Sequence, residues 1–402
     1  MLSIVGGVYF ENCLRPDWHE AYGSGGRAAS ALARFGVDVE LHTYLDKSSL
    51  AVVSERAALE GFRINYKTIE QAGAFGYVHG LSVPRIRHPI GVGEKLTVAA
   101  ENIIVFGLLE GTAGVKGKFV VYDPQDPFDS QWLDNFSISA ENLVIVLNQY
   151  EARSLIDTKG KSIEEIAKFV RDRTNAVAVL IKQGPHGVLV CEKDQSTNIP
   201  SFITPNVWKM GCGDVFVSHF GNAWIEEKLQ PAEAAMKASL ATAFYSQHAG
   251  YPSRERLLKF EPPKFHQSAK VKSGFIPTVY LAGPFFTLGQ LWLIDQARAN
   301  LLELGLKVFS PYHDVGLGTA AEVVDKDLEG IVNCDIMFAV CDGLDSGTIY
   351  EVGYARALQK PVLIYCEALK SEDLKMMEGS GCQIFNDYVT AIYQTAWTAG
   401  SQ

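Results

Sequence analysis

Three acids in the last third of the chain carry the most specific chemistry. Glu351 follows Asp345-Ser346-Gly347-Thr348-Ile349-Tyr350, and Asp327 lies upstream in Asp325-Lys326-Asp327-Leu328-Glu329-Gly330-Ile331. A carboxylate at an anomeric carbon stabilises an oxocarbenium-like transition state and can attack to form a covalent glycosyl intermediate. A second acid then protonates the leaving base. The pattern points to N-glycosidic chemistry, with Glu351 as nucleophile and Asp327 as proton partner. Glu351 is expected in the first turn of a helix, where the dipole favours its ionised form. In Tyr280-Leu281-Ala282-Gly283-Pro284, Gly283 lets a ligand approach the backbone. Singly, each acid also has a plain structural use, as a helix-start residue or a turn former.

A second constellation lies in Gly211-Cys212-Gly213-Asp214, ahead of an apolar helix. A glycine-rich turn at a helix N-terminus presents N–H groups to an anion. An Asp just inside it can take the proton of a hydroxyl attacking a phosphoryl group. Alone, this short pattern is common.

The elements that must position these residues are strands alternating with helices. Apolar runs over Ile103–Leu108, Lys118–Tyr122, Leu143–Leu147 and Ala176–Ile181 predict buried strands, with an amphipathic helix over Ser162–Arg173. Pro252–Pro277, rich in Lys, Arg and Pro, breaks the rhythm and reads as a linker. After it the pattern restarts. Strands are predicted at Thr278–Ala282, Lys307–Phe309, Ile336–Val340 and Pro361–Tyr365, with helices at Leu288–Leu304, Glu322–Ile331 and Ile349–Leu358. This is an α/β chain with a small doubly wound parallel-sheet domain at its end, whose ligands belong beyond the carboxyl ends of the strands.

The 402 residues suit two domains. A net charge of -10 argues against a nucleic-acid partner, which needs a basic face. No stretch reaches the roughly 18 apolar residues of a membrane span, and Met1–Cys13 has no signal-peptide pattern. The seven cysteines form no C-x-x-C pair, so no metal site or disulfide framework is expected, and the reading is cytoplasmic.

The motifs YLAGPFF, SPYHDVG, DLEGIVNCDIMFAV and DSGTIYEVGYARALQKPV, over about residues 278 to 366, resemble the nucleoside 2-deoxyribosyltransferase family. The resemblance implies a flavodoxin-like domain and a retaining mechanism needing no cofactor. On it, the nucleophile falls on Glu351, the acid associated with the base on Asp327, and the sugar contact on Asp345. Tyr280 and Gly283 fall among the substrate-binding positions, and Ser346, next to Asp345, is a substrate-binding candidate that could bind a phosphate. His313 borders the implied pocket, and the tail Asn386–Gln402 could complete a neighbouring subunit's pocket or simply dock. An ionised Asp345 would repel a phosphate dianion, which favours an unphosphorylated sugar.

Residues 1 to 260 resemble the ribokinase-like (PfkB group) sugar and nucleoside kinases, through GSGGRAASALARFG, Asn148-Gln149-Tyr150-Glu151, Gln183-Gly184-Pro185-His186-Gly187 and the Gly211–Asp214 turn. The resemblance implies ATP and Mg²⁺ as cofactors and Asp214 as base, with Gly211, Cys212 and Gly213 as anion hole. It places Gly25, Gly26 and Arg27 on the substrate side, and Gln183, Gly184, Gly187, Asn148 and Glu151 around nucleotide and metal. Three departures stand out. Trp208-Lys209-Met210 replaces the usual Asp-Thr, the substrate-motif Asn falls on Arg27 or Ser30, and no sugar-binding Asp follows Gly6-Gly7-Val8-Tyr9. The domain is also short for the group, which implies a reduced lid.

The expected organisation is a kinase-like domain at 1–260, a linker at 261–277 and a transferase-like domain at 278–402. Two functions follow. One is a bifunctional enzyme that transfers or hydrolyses an N-glycosidic bond and phosphorylates a nucleoside or sugar. The other keeps the glycosidic half beside a degenerate kinase domain serving as nucleotide sensor or oligomerisation platform. Small-molecule nucleoside, nucleotide and sugar substrates and a homo-oligomer are implied in both.

Overall fold

The structure, a computed structural model, describes residues 1–91, 94–125, 137–155, 160–368 and 371–402. It divides into two compact units. Unit 1 comprises Met1–Thr204 and Trp208–Pro263, and unit 2 comprises Pro205–Val207 and Lys264–Gln402. The Pro252–Pro277 stretch, expected as a linker, carries two short helices, Arg254–Leu258 and Ala269–Lys272.

The strands of unit 1 are β1 (Leu2–Val5), β2 (Phe10–Arg15), β3 (Trp18–Ala21), β4 (Val39–Leu45), β5 (Arg63–Thr68), β6 (Ala74–His79), β7 (Arg85–Arg87), β8 (Leu96–Phe106), β9 (Ala113–Asp123), β10 (Ile138–Asn148), β11 (Ala178–Lys182), β12 (Val188–Cys191) and β13 (Ser196–Ile199). The main sheet runs β13-β12-β11-β10-β9-β8-β1-β4-β5. It is parallel from β11 to β5, with β12 and β13 antiparallel at one edge. Parallel strands are buried on both faces and therefore read as continuous apolar runs. Alternate residues of β10 show this. Val144 and Val146 pack with Leu32, Phe216 and Phe220, whereas Ile145 and Leu147 pack with Ile166 and Val170 on the other face. A separate sheet, β3-β2-β6-β7, comes from segments in which no strand was predicted.

Unit 2 carries β14 (Thr278–Ala282), β15 (Lys307–Phe309), β16 (Ile336–Val340), β17 (Val362–Tyr365) and β18 (Gln383–Phe385). All are parallel, in the order β15-β14-β16-β17-β18. This is the flavodoxin-like 2-1-3-4-5 order, whose switch point lies between the first and third strands, here β14 and β16. The tail forms a helix, Tyr388–Gly400, buried at most positions and packed on β16, β17, β18 and the helix Leu288–Glu303. It takes the docked alternative. No helix among the described residues is long and apolar enough to cross a membrane.

Candidate active sites

The predicted acids of unit 2 gather at the β14/β16 switch point. Beyond β16 the chain turns through Gly343 and Leu344, both at positive φ (84° and 49°), and enters the helix Ser346–Ala357. Leu344 in the left-handed region is a strained choice for a branched residue, and such strain collects at functional turns. Asp345 is the N-cap. Its Oδ2 accepts from Thr348 N at 2.8 Å and Thr348 Oγ1 at 3.0 Å, satisfying one of the donors a helix start leaves open. Its Oδ1 accepts no hydrogen bond among the described residues.

The helix therefore starts three residues earlier than expected, at Ser346 rather than Ile349, and Glu351 lies in its second turn. This corrects the expected electrostatics. Glu351 is not an exposed first-turn acid ionised by the dipole. Burial pushes its carboxyl up to about 7, and the Asp327 and Asp345 charges add to the rise. One group opposes it. Tyr280, wholly buried in β14, donates its hydroxyl to Glu351 Oε1 at 2.7 Å. Tyr280 is itself held well above the usual phenol range by burial and the Glu351 charge. The other carboxylate oxygen of Glu351 accepts no hydrogen bond among the described residues.

Asp327 lies on the helix Ala320–Asn333. Its Oδ1 is buried without a hydrogen-bond partner, and burial raises its proton affinity. Ser346 is exposed at the helix start. Gly283 has a packing reason, since a Cβ there would lie 2.6 Å from Ile294 Cδ1 and 3.0 Å from Val340 Cβ. His313 is turned to Ser310 Oγ (3.0 Å) and Asp295 Oδ1 (2.9 Å).

In unit 1 the residues flanking the Gly211–Asp214 turn form a closed polar cluster. Gly211, at φ 75°, caps the helix Cys212–Gly221. Asp214 is buried, and both of its carboxylate oxygens are bonded. Arg27 Nη1 donates to Oδ2 at 3.2 Å and Gln125 Nε2 to Oδ1 at 2.7 Å. Arg27 has no exposed surface. Its Nη1 also donates to Glu11 Oε1 (2.9 Å), its Nη2 to Glu11 Oε2, and its Nε to the Tyr245 hydroxyl (3.4 Å). Beside it, Lys182 Nζ pairs with buried Asp123 Oδ2 at 2.8 Å. Burial raises Asp214, and the Arg27 guanidinium opposes that rise. Burial lifts the Cys212 thiol to about 11, so it is an un-ionised thiol at neutral pH.

The other expected kinase-side residues hold local structure. Asn148 Oδ1 accepts from Glu151 N at 2.8 Å and Glu151 Oε2 from Asn148 N at 2.7 Å, a capping box on the helix Gln149–Ser154. Gly184 lies in a short 3₁₀ turn that follows Gln183, and a Cβ at Gly187 would meet Ile199 O at 2.0 Å. Gly25 lets its helix approach Gly6 O, which a Cβ would meet at 2.5 Å, while one at Gly26 would reach Val8 at 3.4 Å. Sequence reasoning missed Glu11, Gln125, Asp123 and Lys182. The one available signal was the pair of acid-bearing strand ends, Tyr9-Phe10-Glu11 and Tyr122-Asp123.

Family models now bear on both clusters. Residues 112–251 match the pfkB family carbohydrate kinase model, and residues 279–385 match the nucleoside 2-deoxyribosyltransferase model. Each unit matches an enzyme family. The pfkB-like unit is a ribokinase-like α/β fold and the transferase-like unit a flavodoxin-like one. Among curated proteins, an uncharacterized protein, UU063, of Ureaplasma parvum serovar 3 is 33% identical over 99 residues, 21% of this chain and 62% of that protein. The matched stretch thus spans under two thirds of that relative. Among solved structures, a ribokinase of Thermotoga maritima is 17% identical with a TM-score of 0.48, covering 65% of this chain and 98% of its own. A Burkholderia thailandensis nucleoside kinase in complex with inosine is 20% identical with a TM-score of 0.49, covering 65% and 97%.

PfkB kinases in general use ATP and Mg²⁺. In this pfkB-like unit the Asp214 carboxylate accepts from Arg27 Nη1 and Gln125 Nε2.

Proposed function

We propose that the transferase-like unit cleaves the N-glycosidic bond of a nucleoside through a glycosyl–Glu351 intermediate. One observation carries the reading. Glu351 is a half-buried carboxylate that has, among the described residues, one neutral donor, Tyr280, on one oxygen and two further acids near enough to raise its proton affinity. Glu351 attacks the anomeric carbon, forming a C–O bond as the C–N bond breaks, and the proton of Asp327 passes to the leaving nitrogen. An incoming base or water then attacks the same carbon and gives its proton to Asp327. The C–O bond breaks and the Glu351 carboxylate is restored. Both partners of the reaction are small molecules, and no cofactor is required.

The capping of Thr348 by Asp345 favours an unphosphorylated sugar. A helix N-terminus attracts anions, but here an internal carboxylate already takes the Thr348 N–H, and a phosphate dianion would meet that charge. Purified protein is tested with nucleosides and their 5′-monophosphates, with and without a second free base, against Glu351→Ala. Base release from nucleosides should fall by roughly a thousandfold or more in the variant. Equal release by both proteins would sink the assignment.

A further inference from the structure

We propose that Asp342 is a positioning residue of the glycosidic site, pinning the turn beyond β16 to the chain beyond β17 and so fixing where Asp345 meets the sugar. The inference rests on the glycosidic reading and adds to it a group outside its three acids.

The turn needs an anchor. Asp342 and Asp345 are separated by Gly343 and Leu344, both in the left-handed region at φ 84° and 49°. Backbone of this kind persists where its surroundings over-determine it. On the helix side, the Asp345 cap and the bond from Ile349 N to Asp345 O (3.0 Å) hold the turn. On the strand side, Asp342 holds it. Its Oδ1 accepts from Glu367 N at 2.9 Å and from Ala368 N at 3.1 Å, and its Oδ2 accepts from Glu367 N at 3.1 Å. A carboxylate accepting backbone N–H groups makes bonds roughly twice as strong as neutral pairs do. The sheet brings the partners within reach. Val340 and Tyr365 are register partners, and Cys341 N donates to Tyr365 O at 3.0 Å, so the two chains leave the sheet side by side.

The consequence falls on Asp345 rather than on Glu351. Glu351 lies in the second turn of its helix and is held from β14 by Tyr280, independently of the turn. Asp345 sits at the end of the turn, with Oδ2 committed to Thr348 and Oδ1 left for the sugar. Releasing Asp342 therefore misplaces the sugar contact and leaves the nucleophile where it is. It also draws away the Asp345 charge, which raises the proton affinity of Glu351.

The test measures base release from nucleosides by the full chain. Asp342→Ala should raise KM by roughly tenfold with kcat changed by less than about threefold, and the acid limb of the kcat/KM profile should move to lower pH. Asp342→Asn keeps Oδ1 as an acceptor for both N–H groups and should recover most of the loss. In an Asp345→Ala background, Asp342→Ala should add nothing to KM, because it acts through Asp345. Asp342→Ser takes its place where Asp342→Ala does not fold. A folded variant with lowered Tm and an unmoved KM would overturn the inference, since that is a merely structural role. So would a KM effect that persists in full without the Asp345 carboxylate. Failure of the glycosidic reading shows separately, as parent base release that Glu351→Ala does not reduce, and it takes this inference with it.

Discussion

Glu351→Gln should stabilise the transferase-like unit, and by an amount that depends on pH. The folded Glu351 titrates near 7 against a usual 4.5. Between those values the folded state keeps a proton that the unfolded chain has lost, so the parent loses stability as pH rises through that window. At 1.36 kcal/mol per unit the full penalty is about 3 kcal/mol, reached above pH 7. Gln cannot ionise, and its amide oxygen can still accept from Tyr280, so the variant escapes the penalty. The stability difference should be near zero at pH 4.5 and approach its full value by pH 8. Hydrogen exchange of the β16 and β17 amides, read at several pH values, isolates this unit from the rest of the chain. A difference flat in pH would refute the buried-acid account. A difference of opposite sign would restore the dipole-stabilised carboxylate expected from sequence.

Three other outcomes follow from the geometry. Tyr280→Phe removes the donor that holds the Glu351 carboxyl down, so the acid limb of the kcat/KM profile should move to higher pH and the rate fall by roughly 10–100-fold, the worth of a hydrogen bond to a charged group. Asp345→Ala should cost about 1 kcal/mol through the lost N-cap, measured by denaturation, and lower KM for 5′-monophosphates relative to nucleosides. In unit 1, His219 is buried against Phe35 and pulled down to about 3 by burial and the nearby Lys237 and Arg254 charges, so it stays neutral when folded. The unfolded chain takes up that proton below about 6.5, and denaturation should show stability falling by up to about 1.4 kcal/mol per pH unit between there and 3, a slope that His219→Gln removes.

The strands of unit 2 were legible because buried parallel strands are unbroken apolar runs. Thr278–Ala282, Lys307–Phe309 and Ile336–Val340 fall where the runs predict. The start of the Glu351 helix was not, because Asp345-Ser346-Gly347-Thr348 has the composition of a turn, and Asp at N-cap is a start signal that turns share. That shift of three residues inverted the electrostatic expectation. The Arg27 cluster was harder still. Gln125 and Asp214 stand 89 residues apart and Arg27 and Asp214 187 apart, and periodicity says nothing about which buried polar groups pair at such range. Glycines misled in another way. Gly25, Gly187 and Gly283 read as places for a ligand, yet each has a neighbouring protein atom where its Cβ would be.

Asp214 and Glu351 are shifted in the same direction, and their surroundings differ. Both are acids raised chiefly by burial, and both sit where a family resemblance places a reactive group. Perturbed groups collect at active sites, but structural ion pairs perturb them too. The difference lies in their partners. Asp214 faces a guanidinium that opposes the effect of burial and an amide that donates to its second oxygen. Among the described residues Glu351 has a neutral hydroxyl for a donor, and the charges that act on it are those of other acids, so its ionised form lacks a compensating cation. In the proposed reaction an oxocarbenium-like carbon would supply that cation, and the carboxylate would be stabilised more in the transition state than before it, which is the condition for catalysis.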